Sequence, residues 1–183
     1  FISLPETRLS AKVDQGSSIV REYVEALLGY DDKAAKAGFE QSFTVPAGVK
    51  SFEISARIEA VGNMYSVAGV IGYVFAELRG FMAVTGLEGQ CTAEQQLWEH
   101  RGILFDYFNG TFSTPAVTLT CRIDRSSSTA ASTYWMSAGA SQRVGVGAAG
   151  AAAVDTDGNI PGVSIPGPHA IHVDTFRWRA LSN

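Results

Sequence analysis

The sequence predicts a mainly β protein, an antiparallel β-sandwich of jelly-roll type with one amphipathic helix near its N-terminus. Three observations carry this reading. Apolar and polar residues alternate with a period of two over long stretches, most cleanly from Lys50 to Val61, and a strand with one buried face requires that period because successive side chains point to opposite faces. Clusters of Gly, Pro, Asn and Ser separate the alternating stretches, as short turns between antiparallel strands demand. Only one stretch repeats at helical spacing, which excludes a regular β–α alternation.

Taken in order, residues 1–15 (FISLPETRLSAKVDQ) hold Pro5, which forces the residue before it into extended conformations. They read as an extended arm with Ile2, Leu4 and Leu9 as apolar anchors, ahead of a single sandwich domain over 16–183. Ser17 and Ser18 can cap a helix whose stripe is Ile19, Val20, Tyr23, Val24, Leu27 and Leu28, with Arg21, Glu22 and Glu25 facing water and Gly29 stopping it. The stretch from Asp31 to Gly38 reads as a short helical or loop connector. Strands are expected at Glu40 to Val45 and at Lys50 to Val61, where Phe52, Ile54, Ala56, Ile58 and Ala60 point inward and Glu53, Ser55, Arg57 and Glu59 outward. Residues 67–84 are apolar on both faces and read as a central strand pair. Leu104 to Phe108 follows, then Val117 to Asp124, whose alternation puts Leu119, Cys121 and Ile123 inside. Thr133 to Val146 and His169 to Leu181 complete the set. Val144 to Val154 is rich in Gly and Ala, which permits close backbone packing.

Composition narrows the function. The chain has 183 residues, 46% of them apolar, and 14 basic against 18 acidic residues for a net charge of −4. A length of this order buries enough surface to fold without a metal or disulfide staple. Scattered single Lys and Arg exclude nucleic acid as a partner, because phosphate neutralisation needs a clustered basic face. The longest apolar region, Met64 to Leu78, is broken by glycines and falls short of the ~20 residues of a membrane-spanning helix. The chain opens on Phe1 with no basic-then-apolar leader, so a matured, extracellular or surface-exposed product is expected. Cys91 and Cys121 lack the paired spacing of zinc or redox motifs; one disulfide in an oxidising compartment is expected, two buried thiols being the alternative. Asn109-Gly110-Thr111 is a glycosylation triplet, used only in a eukaryotic secretory setting.

No catalytic constellation emerges. Gly145-x-Gly147-x-x-Gly150 matches the dinucleotide fingerprint in letters, but no helix follows to set an N-terminus against a pyrophosphate, and no acid stands about twenty residues on. Asp155 and Asp157 in Asp155-Thr156-Asp157-Gly158 cluster oxygen ligands as a calcium site does, although Asp-Gly is also a hairpin turn. Calcium is thus a candidate cofactor. His172 and Asp174 point to one face of a strand and, with His169 and a ligand such as Glu99 or His100, form the best transition-metal candidate. No Ser stands in a Gly-x-Ser-x-Gly elbow, and neither Cys has a neighbouring His. Trp135 and Trp178, with Trp98, Tyr107 and Tyr134, could form a platform for sugar rings or another protein. Strict alternation puts Phe176 and Trp178 on the face of His172 and Asp174, and Arg177 and Arg179 on that of Ile171 and Val173; one of these mixed faces is expected to meet a partner.

Residues 173–182 (VDTFRWRALS) resemble the closing strand of laminin-G and concanavalin-like sandwich modules, and Phe105 to Pro115 (FDYFNGTFSTP) resembles a strand–turn pattern of C1q-like jelly rolls. Neither resemblance transfers a functional residue. The reading with most support is a non-catalytic extracellular subunit that assembles with copies of itself into a filament, sheath or capsid-like structure, its arm completing a neighbour's sheet. The rival is a glycan-binding module assisted by calcium.

Overall fold

The computed structural model describes residues 20–24, 30–126, 129–147, 150–156 and 170–181, and every element among them is a strand. The strands form two antiparallel sheets packed face to face. The first is organised around one long strand, β3 (Ser51–Ala68). On one of its edges β10 (Ala170–Ala180) pairs with the first half and β9 (Gly150–Asp155) with the second; on the other edge β7 (Val117–Asp124) and β6 (Tyr107–Ser113) divide it in the same way. β1 (Val20–Val24) adds to the far side of β9. The second sheet runs β2 (Tyr30–Val45), β8 (Ser132–Gly147), β4 (Tyr73–Gly86), β5 (Gly89–Ile103).

The period-two reading of β3 and β7 is what the structure has. Phe52, Ile54, Ala56, Ile58 and Ala60 are buried, as are Leu119, Cys121 and Ile123, while Arg57, Thr118, Thr120, Arg122 and Asp124 are exposed. Their inward side chains meet Val74, Leu78, Met82 and Val84 of β4 and Tyr134, Met136, Val144 and Val146 of β8 in one core. Phe52 and Tyr134 meet across it edge to face at 4.9 Å. Cys91 of β5 and Cys121 of β7 are joined by a disulfide that ties the two sheets together.

β6 and β7 are one strand direction broken at Pro115, which has no N–H for the ladder. Thr114 repairs the break. Its N–H donates to the Ala60 carbonyl, and its hydroxyl accepts from the Ala60 N–H, both at 2.9 Å.

Five expectations change against this framework. The stretch from Asp31 to Gly38 is strand, because β2 holds its register on β8 from Tyr30 to Val45. The doubly apolar stretch 67–84 is the end of β3, a turn at 69–72, and most of β4, which does lie centrally between β8 and β5. Leu104 and Phe105 form a turn, and β6 starts only at Tyr107. β5 was not expected, since its sequence is polar on both faces except around Leu97 and Trp98. Finally, a bulge between Asp174 and Arg177 shifts the parity of β10. Ile171, Val173 and Trp178 therefore all face the core, and Arg177 and Arg179 face out. The mixed faces expected from strict alternation do not exist, and the partner inferred from them loses its basis. The expected helix lies largely outside the described residues; of its stretch Val20–Val24 is described, as strand β1.

Candidate functional site

The outer face of the second sheet carries the most developed surface feature. Its register aligns residues in rows across β8, β4 and β5: Gly147, Tyr73 and Ile103; Gly145, Phe75 and Arg101; Arg143, Glu77 and Glu99. The rows line a concavity of about 550 Å³. Gly145 and Gly147 have a steric role here. A Cβ on either would come within 2.1 Å of the Phe75 or Tyr73 ring, so these two glycines are the bed on which the rings lie across β8. The literal dinucleotide fingerprint thus serves aromatic packing on a strand.

The Tyr73 and Phe75 rings are nearly parallel, at 9° with centroids 6.4 Å apart, and the Arg143 guanidinium stands 5.4 Å over Phe75. Glu77 and Glu99 face each other across the β4–β5 pair, an arrangement that like charges disfavour. Arg79 relieves it by binding Glu77 at 2.7 Å, and Arg101 and Gln96 by binding Glu99. The result is an aromatic shelf bordered by guanidinium and carboxylate groups held in place by each other. Such a surface can stack on a ring and hydrogen-bond its hydroxyls. None of its side chains is a nucleophile poised beside a base.

A second feature is an edge. β2 runs for 16 residues, and its outer edge is paired with none of the described residues. Lys36 lays its ammonium 3.7 Å from the centroid of Phe81, a ring that also packs on Gly38.

The residues singled out in the sequence do not converge. Ile2, Leu4, Leu9, Asp157 and His169 lie outside the described residues. Asp155 closes β9 opposite Asn63, and Asp174 stands opposite Arg57. His172 is half-buried opposite Glu59 on the first sheet, whereas Glu99 and His100 belong to the second. Among the described residues no three His, Cys, Asp or Glu side chains are grouped as metal ligands. Trp135 is 60% exposed on β8, but Trp178 is buried, edge to face with Phe52 at 6.4 Å. Trp178 belongs to the core because the β10 bulge turns it inward, and it offers no platform. Asn109 is exposed on β6 and donates to the Tyr107 hydroxyl at 3.5 Å. Nothing in the sequence marks the shelf residues Tyr73, Phe75, Arg101 and Arg143; the i, i+2 charge pairing Glu77-x-Arg79 and Glu99-x-Arg101 recurs at Arg57-x-Glu59 and Arg122-x-Asp124 on the other sheet.

No family model matches the chain, and no curated protein matches it significantly. Among solved structures it is similar to that of the infectious bursal disease virus Gx strain, at 12% identity over 87% of this chain and 38% of that one, with a TM-score of 0.12. The Gt strain of the same virus gives 8% identity, 82% and 42% coverage and a TM-score of 0.13. The VP2 subviral particle of that virus gives 12%, 99% and 47%, with a TM-score of 0.11. The chain spans less than half the length of each, and at such TM-scores the likeness carries no argument.

Proposed function

We propose that the chain is a non-catalytic, jelly-roll-like structural subunit that assembles with copies of itself by strand addition along β2. The observation that carries this reading is the 16-residue edge of β2, unpaired among the described residues. A row of open N–H and C=O groups of that length is a template for another strand. The arm of a neighbouring copy, residues 1–15, is the proposed donor: its backbone supplies the ladder, and Ile2, Leu4 and Leu9 supply the side-chain anchors. The disulfide supports a location in an oxidising, extracellular setting.

Deleting residues 1–12 is the test. Light scattering and electron microscopy of the intact chain should show concentration-dependent polymers, and the truncated chain should stay small with an unchanged β-sheet spectrum. A synthetic peptide of residues 1–15 should then compete with assembly of the intact chain. Polymers that persist after truncation overturn the arm as donor.

The aromatic shelf favours a second reading, a glycan-binding module, with calcium at Asp155 and Asp157 as its proposed aid. Glycan-array binding should fall when Gly145→Ala lifts the Phe75 ring, and it should fall on Trp135→Ala if the platform extends there. An array without hits, with and without a calcium chelator, removes this reading.

A further inference from the structure

At the end of the sandwich where β3 passes to β4 and β5 to β6, the turns are apolar. One reads Gly69-Val70-Ile71-Gly72 and the other Ile103-Leu104-Phe105-Asp106. Val70, Ile71, Ile103, Leu104 and Phe105 are all exposed, Phe105 at 73%. Tyr65 and Tyr107 stand immediately behind them, edge to face at 6.1 Å.

Three properties of this tip go together. Leu104 and Phe105 have φ of 48° and 62°, the left-handed region that large L-residues enter only at a cost, and a cost sustained at an exposed turn is a pointer to use. Four main-chain hydrogen bonds close the two turns on each other: the Gly72 N–H donates to the Gly69 carbonyl, Leu104 to Gly72, Phe105 to Gly69 and Ala68 to Asp106, at 2.8–3.4 Å. The one charged side chain of the two turns, Asp106, is folded back onto His100 Nε2 at 2.9 Å and the Ser66 hydroxyl at 3.5 Å. Gly102 makes room for it, since a Cβ there would lie 2.0 Å from the carboxylate.

We infer that this tip inserts into the headgroup–acyl boundary of a lipid bilayer. Val70, Ile71, Leu104 and Phe105 are exposed and line no part of the concavity on the second sheet, and fluid hydrocarbon conforms to side chains that no groove shapes for a rigid partner. The hydrocarbon core demands that every backbone polar group be satisfied inside the protein, so insertion stops at the boundary, where water still reaches the peptide groups of Val70 and Ile71 and the four internal bonds hold the rest of the tip. Tyrosine directly above an aliphatic tip is the arrangement that suits the membrane–water interface. A second copy is a poorer occupant. The five side chains expose on the order of 500 Å² by ordinary side-chain areas, against the ~800 Å² per partner of a standard protein interface. The nearest exposed cation, Arg101, is already paired with Glu99, so binding is apolar and independent of lipid charge.

The test is flotation of the full chain with phosphatidylcholine vesicles and with vesicles that also contain phosphatidylglycerol. Co-flotation should be similar for both and insensitive to salt. Phe105→Trp, read against the wild-type baseline, should shift its emission to the blue and be quenched by lipids brominated on the acyl chain. The double variant Leu104→Gly, Phe105→Gly should lose binding by about tenfold or more, given the apolar area removed. Glycine adopts both φ values freely, so this variant should keep the wild-type melting temperature, which separates lost insertion from lost folding. The inference is overturned by absence of flotation, by an unquenched Trp at position 105, by undiminished binding of the glycine variant, or by binding that requires phosphatidylglycerol and vanishes in salt. A lipid-independent oligomer that dissolves in the glycine variant also overturns it and makes the tip a protein contact.

Discussion

The two ends of the sandwich solve the same problem, how to finish a set of antiparallel strands, in opposite ways. At one end the loops close on a buried arginine. Arg125 donates to the carbonyls of Pro46, Val49 and Ala130, to the Ser132 hydroxyl and to Glu88 at 2.7 Å, while Ser132 also donates to Glu88. Three separate connections are thereby tied by side-chain polar groups, and a bulky aromatic, Tyr134, packs beneath them. At the other end the two described turns are tied to each other by main-chain bonds, with the Asp106 carboxylate on His100 and Ser66 as their side-chain tie, and Val70, Ile71, Leu104 and Phe105 face outward. The first end holds its loops through a buried charged side chain; the second holds these turns largely by main chain and leaves its apolar side chains exposed.

The largest expected effect that follows is at the arginine. Arg125→Ala removes one partner of a buried ion pair and leaves the Glu88 carboxylate, 15% exposed, without its counter-charge. Such a loss costs about 3–5 kcal/mol, and urea unfolding of the variant should show it as a lowered midpoint at unchanged slope. The double variant Leu104→Gly, Phe105→Gly should move the same midpoint hardly at all. Equal destabilisation at both ends would break the contrast.

The sequence showed this division poorly, although it showed the sandwich well. β3 and β7 were legible because each has one face in the core and one in water, so period two is written directly in residues such as Phe52, Ile54 and Ile58 against Arg57 and Glu59. Gly145 and Gly147 at the end of β8 were legible as part of the close-packing signal of Val144 to Val154. β5 was not, because its inward face carries Cys91 and Ala93, whose contribution comes from a disulfide and from partial burial, and because Leu97 sits at the bulge between Leu78 and Arg79 that breaks the alternation. The β10 bulge hid the true face of Trp178 in the same manner. Bulges insert one residue and reverse every assignment after them, and nothing in the local residues marks where they fall. The aromatic shelf was invisible for a different reason: it exists only once the register sets Tyr73 and Phe75 over Gly147 and Gly145. The apolar tip was in plain sight as Val70-Ile71 and Leu104-Phe105, yet runs of apolar residues read as strand unless the turn geometry is known.

The smallest effect expected is a response to alkali confined to the clamped end. Burial pushes the pKa of the Tyr134 hydroxyl up, and the nearby charge of Glu88 pushes it in the same direction, with the positive charge of Arg125 opposing. An unfolded chain releases a tyrosine proton near pH 10, while the folded protein keeps it to higher pH. Above about pH 10 the unfolded state therefore binds fewer protons than the folded one, and stability falls as pH rises toward the folded value. Below about pH 10 the contribution is intact. Melting temperatures followed upward from pH 9 should decline less steeply in Tyr134→Phe than in the wild type, and the Leu104→Gly, Phe105→Gly variant should keep the wild-type slope. If Tyr134→Phe and the wild type decline in parallel, the buried hydroxyl is not what couples the clamp to pH, and the proton exchange must be sought at another of the groups that face Arg125.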